Sequence, residues 1–126
     1  MGKKMNVILL KPNKLAEVVE IDGPLKGMQG VVNGLIEPAY YFEDPICVIV
    51  NEEGKINGSE LNRGVYVNNE LVDIIAGTAF VCGVNDGGFT DIPENMVFKY
   101  MNIFKYPHTV LNINGKITCV PIIDAR

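Results

Sequence analysis

Apolar positions along this chain come in short runs broken by turn-forming residues, and the runs follow two periods. "MNVILL" (5–10) and "AEVVEI" (16–21) flank the break "KPNK" and predict a strand, a turn and a second strand that Asp22-Gly23 closes. From Pro24 the spacing changes. Leu25, Met28, Val31, Val32 and Leu35 recur at helical intervals, with Pro24 in the first position and Gly34 as the expected cap. Gly27 and Gly30 each weaken such a helix by about 1 kcal/mol relative to alanine, so it needs tertiary support.

Two continuous apolar runs, "ICVIV" (46–50) and "VDIIAGTAFVCGV" (72–84), read as strands buried on both faces at the centre of a sheet, the second bulged or bent at Gly77. "TDIPENMVFKYMNIFKYP" (90–107) predicts a longer helix. Thr90 or Asp91 would cap it, Pro93 would lie in the first turn, Met96, Val97, Tyr100, Met101 and Phe104 would share one face, and Pro107 would end it. Asn114-Gly115 between alternating runs predicts a terminal hairpin within 109–123. The sum is one α+β domain over residues 1–126: a mostly antiparallel sheet, two helices and a C-terminal hairpin. Loops at 37–45, 51–64 and 85–91 are the expected places for function.

A chain of 126 residues, 48% apolar, holds one core of ordinary size. A net charge of −4 disfavours DNA or RNA as partner. Lys11, Pro12 and Lys14 interrupt the N-terminal apolar run before it could serve as a secretory or membrane segment, so the expected location is the cytoplasm, away from membranes. Cys47, Cys82 and Cys119, widely spaced in strand-like runs, read as buried reduced thiols. One histidine and no C-x-x-C pair leave no zinc spacing, and no metal or cofactor is expected.

Candidate chemistry is sparse. In "NEEGKINGSELNR" (51–63) the carboxylates Glu52, Glu53 and Glu60 read as solvated groups around a turn, with Gly54 supplying a positive φ, and not as a catalytic set. His108, alone after a helix end, reads as a capping or surface residue. "GVNDGGFTD" (83–91) lacks both GxGxxG and GK[ST] patterns, and its aspartates oppose phosphate. Arg63 is the only arginine besides Arg126. Its planar fork suits a phosphate, a carboxylate or a stacked base, or else a structural tie from the 51–64 loop to Glu52, Glu53 or Asp73. Tyr40, Tyr41, Phe42 and Phe89 either stack on a ligand's base or cover the core or an interface.

"EVVEIDGPLKGMQGVVNGLIE", "VIVNEEGKINGSELNR" and "VDIIAGTAFVCG", followed by a final helix, resemble a family of small phage and plasmid proteins catalogued as domain of unknown function 3846. The likeness runs over about residues 6–106, with "NEEGK", "NR" and "DIIAGT" as its most specific parts, and Asn33 standing where the family pattern has a glycine. More loosely, the chain resembles the anti-Thoeris sponge of phages, which captures cyclic ADP-ribose signals. That resemblance implies a non-enzymatic anti-defence protein that sequesters a small cyclic nucleotide. Arg63 would meet the phosphate, while Asn51, Asn62, Thr78, Tyr40, Tyr41 and Phe89 would line the pocket of a homodimer or higher homo-oligomer. The alternative is a protein-binding inhibitor or accessory factor that works through an acidic surface at 43–44, 52–53 and 60.

Overall fold

The computed structural model describes residues 4–126. The opening hairpin forms as the pattern predicts, β1 (Lys4–Leu10) pairing antiparallel with β2 (Glu17–Asp22). After α1 (Leu25–Val32) come β3 (Ile36–Ala39), β4 (Ile46–Asn51), β5 (Leu61–Val67), β6 (Glu70–Ala76), β7 (Ala79–Asn85) and β8 (Gly88–Thr90). A 3₁₀ turn (Glu94–Met96) leads into α2 (Val97–Ile103), and β9 (His108–Ile113) and β10 (Lys116–Pro121) close the chain. The main sheet runs β2-β1-β7-β4-β3, with β8 also on β7. β5 with β6 and β9 with β10 form separate two-stranded sheets. Every pairing is antiparallel, which makes the fold α+β.

The runs at 46–50 and 79–82 are continuously apolar because both faces of the main sheet are covered. On one face Cys47, Ile49, Phe80 and Cys82 meet Met28 and Val32 of α1. On the other, Ile46, Val48, Ala79 and Val81 meet Val65 of β5, Ile75 of β6, and Tyr100 and Phe104 of the α2 segment. All three cysteines are buried and free. Alternate side chains of one strand thus serve two cores, and the β5–β6 sheet forms an outer layer.

Four local expectations are corrected. Gly77 does not bend a single strand: with φ +78° it turns the chain from β6 in the outer sheet to β7 in the main sheet. Asn33 (φ 60°), not Gly34, takes the left-handed cap position of α1, a conformation asparagine tolerates. Gly54 has no positive φ, but a Cβ there would lie 2.8 Å from the Ala76 carbonyl oxygen, so it is close approach that requires glycine. The second helix is shorter than 90–107 because Thr90 belongs to β8 and Asp91 Oδ1 accepts from the Asn6 N–H at 2.7 Å instead of capping a helix. Its expected face still packs inward through Tyr100 and Phe104, with Met96, Val97 and Met101 around them. The terminal turn forms at Asn114 (φ 52°) and Gly115 (φ +85°), the conformation a two-residue hairpin needs.

Candidate functional site

Arg63 and Asn62, the pair expected to grip a ligand, are both wholly buried. Arg63 Nε donates to Asn62 Oδ1 at 2.8 Å, Nη2 donates to the carbonyls of Lys11 (3.1 Å) and Lys14 (2.7 Å), and Nη1 donates to the Phe104 carbonyl. Asn62 Nδ2 in turn donates to the carbonyls of Leu10 (2.9 Å) and Gly77 (2.8 Å). The guanidinium has no carboxylate partner among the described residues. Burial lowers its pKa to about 10, which leaves it charged at neutral pH. Its charge faces carbonyl dipoles, one of them at the C-terminal end of α2, where a cation is favoured. The structure therefore places Arg63 as a tie between β5, the β1–β2 turn and α2, and not as a tie to Glu52, Glu53 or Asp73.

The other expected residues are scattered. Phe89 packs beside the α1-side core, whereas Tyr40 is 62% exposed. Thr78 lies half-buried in the turn between β6 and β7. Phe42 covers the core edge-on to Tyr100 (5.2 Å) and Phe104 (6.1 Å). His108 opens β9 and is no helix cap. Its Nδ1 accepts from the Gly64 N–H at 2.8 Å, and burial, then the nearby Arg63 charge, hold its pKa below the usual value.

Only Asn51 and Tyr41 of the expected set meet at one cavity. It is a cleft of about 240 Å³ between β3–β4 and β6, walled by the 51–60 loop and lined also by Glu37, Glu52, Lys55 and Asp73. Asn51 builds the loop: its Oδ1 accepts from the Glu53 N–H at 2.7 Å, and its Nδ2 donates to the carbonyls of Val32 and Asn33, both at 3.1 Å. Tyr41 donates its hydroxyl to Asp73 Oδ2 at 2.5 Å, and Lys55 pairs with Asp73 Oδ1, which also accepts from the Ile74 N–H at 2.8 Å. Burial, then Asp73, push the Tyr41 phenol above its usual range. Burial alone would raise the Asp73 carboxyl, but the hydrogen bonds from Lys55, Tyr41 and the Ile74 N–H outweigh it and leave its pKa low. Sequence reasoning named Asp73 only as a structural partner for Arg63 and not as a site residue. Its signal was a carboxylate flanked on both sides by apolar residues in the strand "ELVDIIA".

Two further cavities are present, one of which adjoins the cleft. An open apolar groove of about 410 Å³, lined by Leu61, Leu71, Val72, Ile74 and Ile117, shares Lys55, Asp73 and Ile74 with the cleft. A cavity of about 460 Å³ elsewhere is lined by Lys11, Lys14 and Arg126 with Glu17. Among the described residues no group of three or more His, Cys, Asp or Glu could hold a metal ion, and no helix is long and apolar enough to cross a membrane.

The model of one protein family, described as Domain of unknown function (DUF3846), matches residues 5–105, which takes in the main sheet, the cleft and α2 but not the β9–β10 hairpin. No curated protein and no solved structure matches the chain, so the looser likeness to the anti-Thoeris sponge gains no support.

Proposed function

The chain belongs to the family described as Domain of unknown function (DUF3846), and from that premise we propose that it is a non-catalytic binding protein, an inhibitor or accessory factor that receives a positively charged group of another protein in the Tyr41–Asp73 cleft. One observation carries this reading. Three carboxylates, Glu37, Glu52 and Asp73, line the cleft against a single cation, Lys55, whose charge Asp73 already neutralises. Glu37 and Glu52 have no ion-pair partner among the described residues. A unit charge about 4 Å from one carboxylate interacts by roughly 1 kcal/mol in water and about 4 kcal/mol in a partly screened site, favourably for a cation and unfavourably for a phosphate. The cleft thus selects against the ligand that Arg63 was expected to hold.

The test is binding of Nα-acetyl-arginine amide to the purified protein, followed by amide chemical shifts. Shifts confined to residues around the cleft, lost in Glu37→Gln/Glu52→Gln, support the reading, and their absence overturns it. A second reading, sequestration of a small cyclic nucleotide such as a cyclic ADP-ribose isomer, draws on the larger cavity at Lys11, Lys14 and Arg126, above the carbonyls that Arg63 holds. Mixing the protein with cyclic nucleotides, filtering, heating and weighing the released molecule decides it. Intact release establishes a sponge, a changed product an enzyme, and no release removes this reading.

A further inference from the structure

We infer that the cationic group is carried on an extended segment of the partner, which lies in the apolar groove along β6 and adds a strand to its unpaired edge. This inference rests on the reading of the cleft given above and names its ligand more closely. Cleft and groove share Lys55, Asp73 and Ile74, so a single ligand passes from one to the other without leaving the surface. The groove is water-exposed yet apolar: Leu61 is 45%, Val72 50% and Ile117 43% exposed, contributed by β5, β6 and β10. A free amino acid or polyamine would satisfy the carboxylates and leave these side chains in water. A peptide carrying apolar residues beside its basic one covers both.

The strand itself supplies the rest of the site. Among the described residues β6 pairs with β5 alone, so one edge of its backbone has no partner strand. Asp73 meets the Ile74 N–H at 2.8 Å and is itself held by Tyr41 and Lys55, the kind of charged guard that blunts an open edge. An incoming strand would displace this carboxylate from the amide while its basic side chain gives Asp73, Glu37 and Glu52 a new partner. A second copy of this chain fits poorly. Two-fold antiparallel pairing centred on β6 would set Asp73 against Asp73 of the other copy, and each copy carries a net charge of −4. The stretch of β6 from Glu70 to Ile74, short of Ala76 where Gly54 approaches, matches an added segment of roughly five residues, with alternating side chains directed to the groove.

The probe is a panel of fluorescein-labelled seven-residue peptides of alternating valine and threonine, with one arginine moved through each position, measured by anisotropy against the full chain. The best member should bind at least about tenfold more tightly than Nα-acetyl-arginine amide, a gain of about 1.4 kcal/mol. Leu71→Ser and Ile117→Ser, checked for folding by circular dichroism, should remove that gain but leave the small amide's binding intact. Amide exchange at Val72 and Ile74 should slow in the peptide complex. If the small amide binds and no peptide binds more tightly, or the groove variants change nothing, the strand-addition inference falls while the cationic cleft stands. If neither the amide nor any peptide binds, both fall.

Discussion

The guanidinium of Arg63 donates to the carbonyl of Phe104, the residue at which α2 ends, and so joins two points 41 positions apart in the chain. Removing the side chain leaves the carbonyls of Lys11, Lys14 and Phe104 and the Asn62 amide oxygen without that partner, the Phe104 carbonyl and the Asn62 oxygen at buried contacts. An unsatisfied buried group costs about 1–3 kcal/mol. Arg63→Ala should therefore lower unfolding free energy by on the order of 3 kcal/mol or more, and Arg63→Lys by less, since one ammonium cannot span the same fork. Urea denaturation measures both, and binding of the arginine amide by whatever fraction remains folded should be unaltered.

Within α1, the same substitution should act with opposite sign three residues apart. A Cβ at Gly27 would lie 1.8 Å from the Asp22 carbonyl oxygen, whereas nothing lies within 4 Å of one at Gly30. Gly30→Ala should stabilise by about 0.5–1 kcal/mol through helix propensity and reduced freedom of the unfolded chain. Gly27→Ala must push the helix off β2 and should destabilise by about 1–3 kcal/mol. Thermal melts of the two variants decide it.

Tyr41 links ionisation to folding at the alkaline end. Its phenol is raised above the unfolded value of 10.0, so its contribution is complete below about pH 10 and is lost as pH rises through the folded pKa. Wild-type minus Tyr41→Phe stability should accordingly shrink above pH 10. Below it, loss of the hydrogen bond to Asp73 should cost about 1 kcal/mol. Asp73→Asn should bring the Tyr41 phenol back toward its ordinary range, read by absorbance at alkaline pH.

His108, the only histidine, gives an acid-side counterpart. Its pKa is lowered on folding, so its contribution is present above the unfolded value of 6.5 and is lost as pH falls from there through the folded value. Protonation also removes the Nδ1 acceptor for the Gly64 N–H. Stability of the wild type should fall between neutral pH and that lower value. His108→Asn, which keeps an acceptor oxygen but does not titrate, should flatten the profile there.

How far the sequence carried these conclusions differs by kind of feature. Period and turn chemistry were local properties, so "MNVILL", "ICVIV" and Asn114-Gly115 announced their strands and turn, and Met28 and Tyr100 their inward faces. The change of sheet at Gly77 was not local: a glycine with positive φ marks a turn but does not say that the strands on either side pair with different partners. Arg63 misled for a related reason. A lone guanidinium in a charged loop looks available, and only the three-dimensional approach of Lys11, Lys14 and Phe104 shows its donors taken. Asp73 was legible in principle, as a charge amid apolar neighbours, but its partners Tyr41 and Lys55 come from other elements.

The turn at Gly77 and Thr78 also bears on speed. Those two residues alone separate β6, one wall of the cleft, from β7, which pairs with β4 in the opposite wall through Ile49 and Phe80. The walls are tied too closely along the chain to swing apart as domains do. For the cationic partner we propose, no hinge step precedes binding: the field of Glu37 and Glu52 should speed its encounter, and the association rate constant should fall with added salt while the cleft keeps its width.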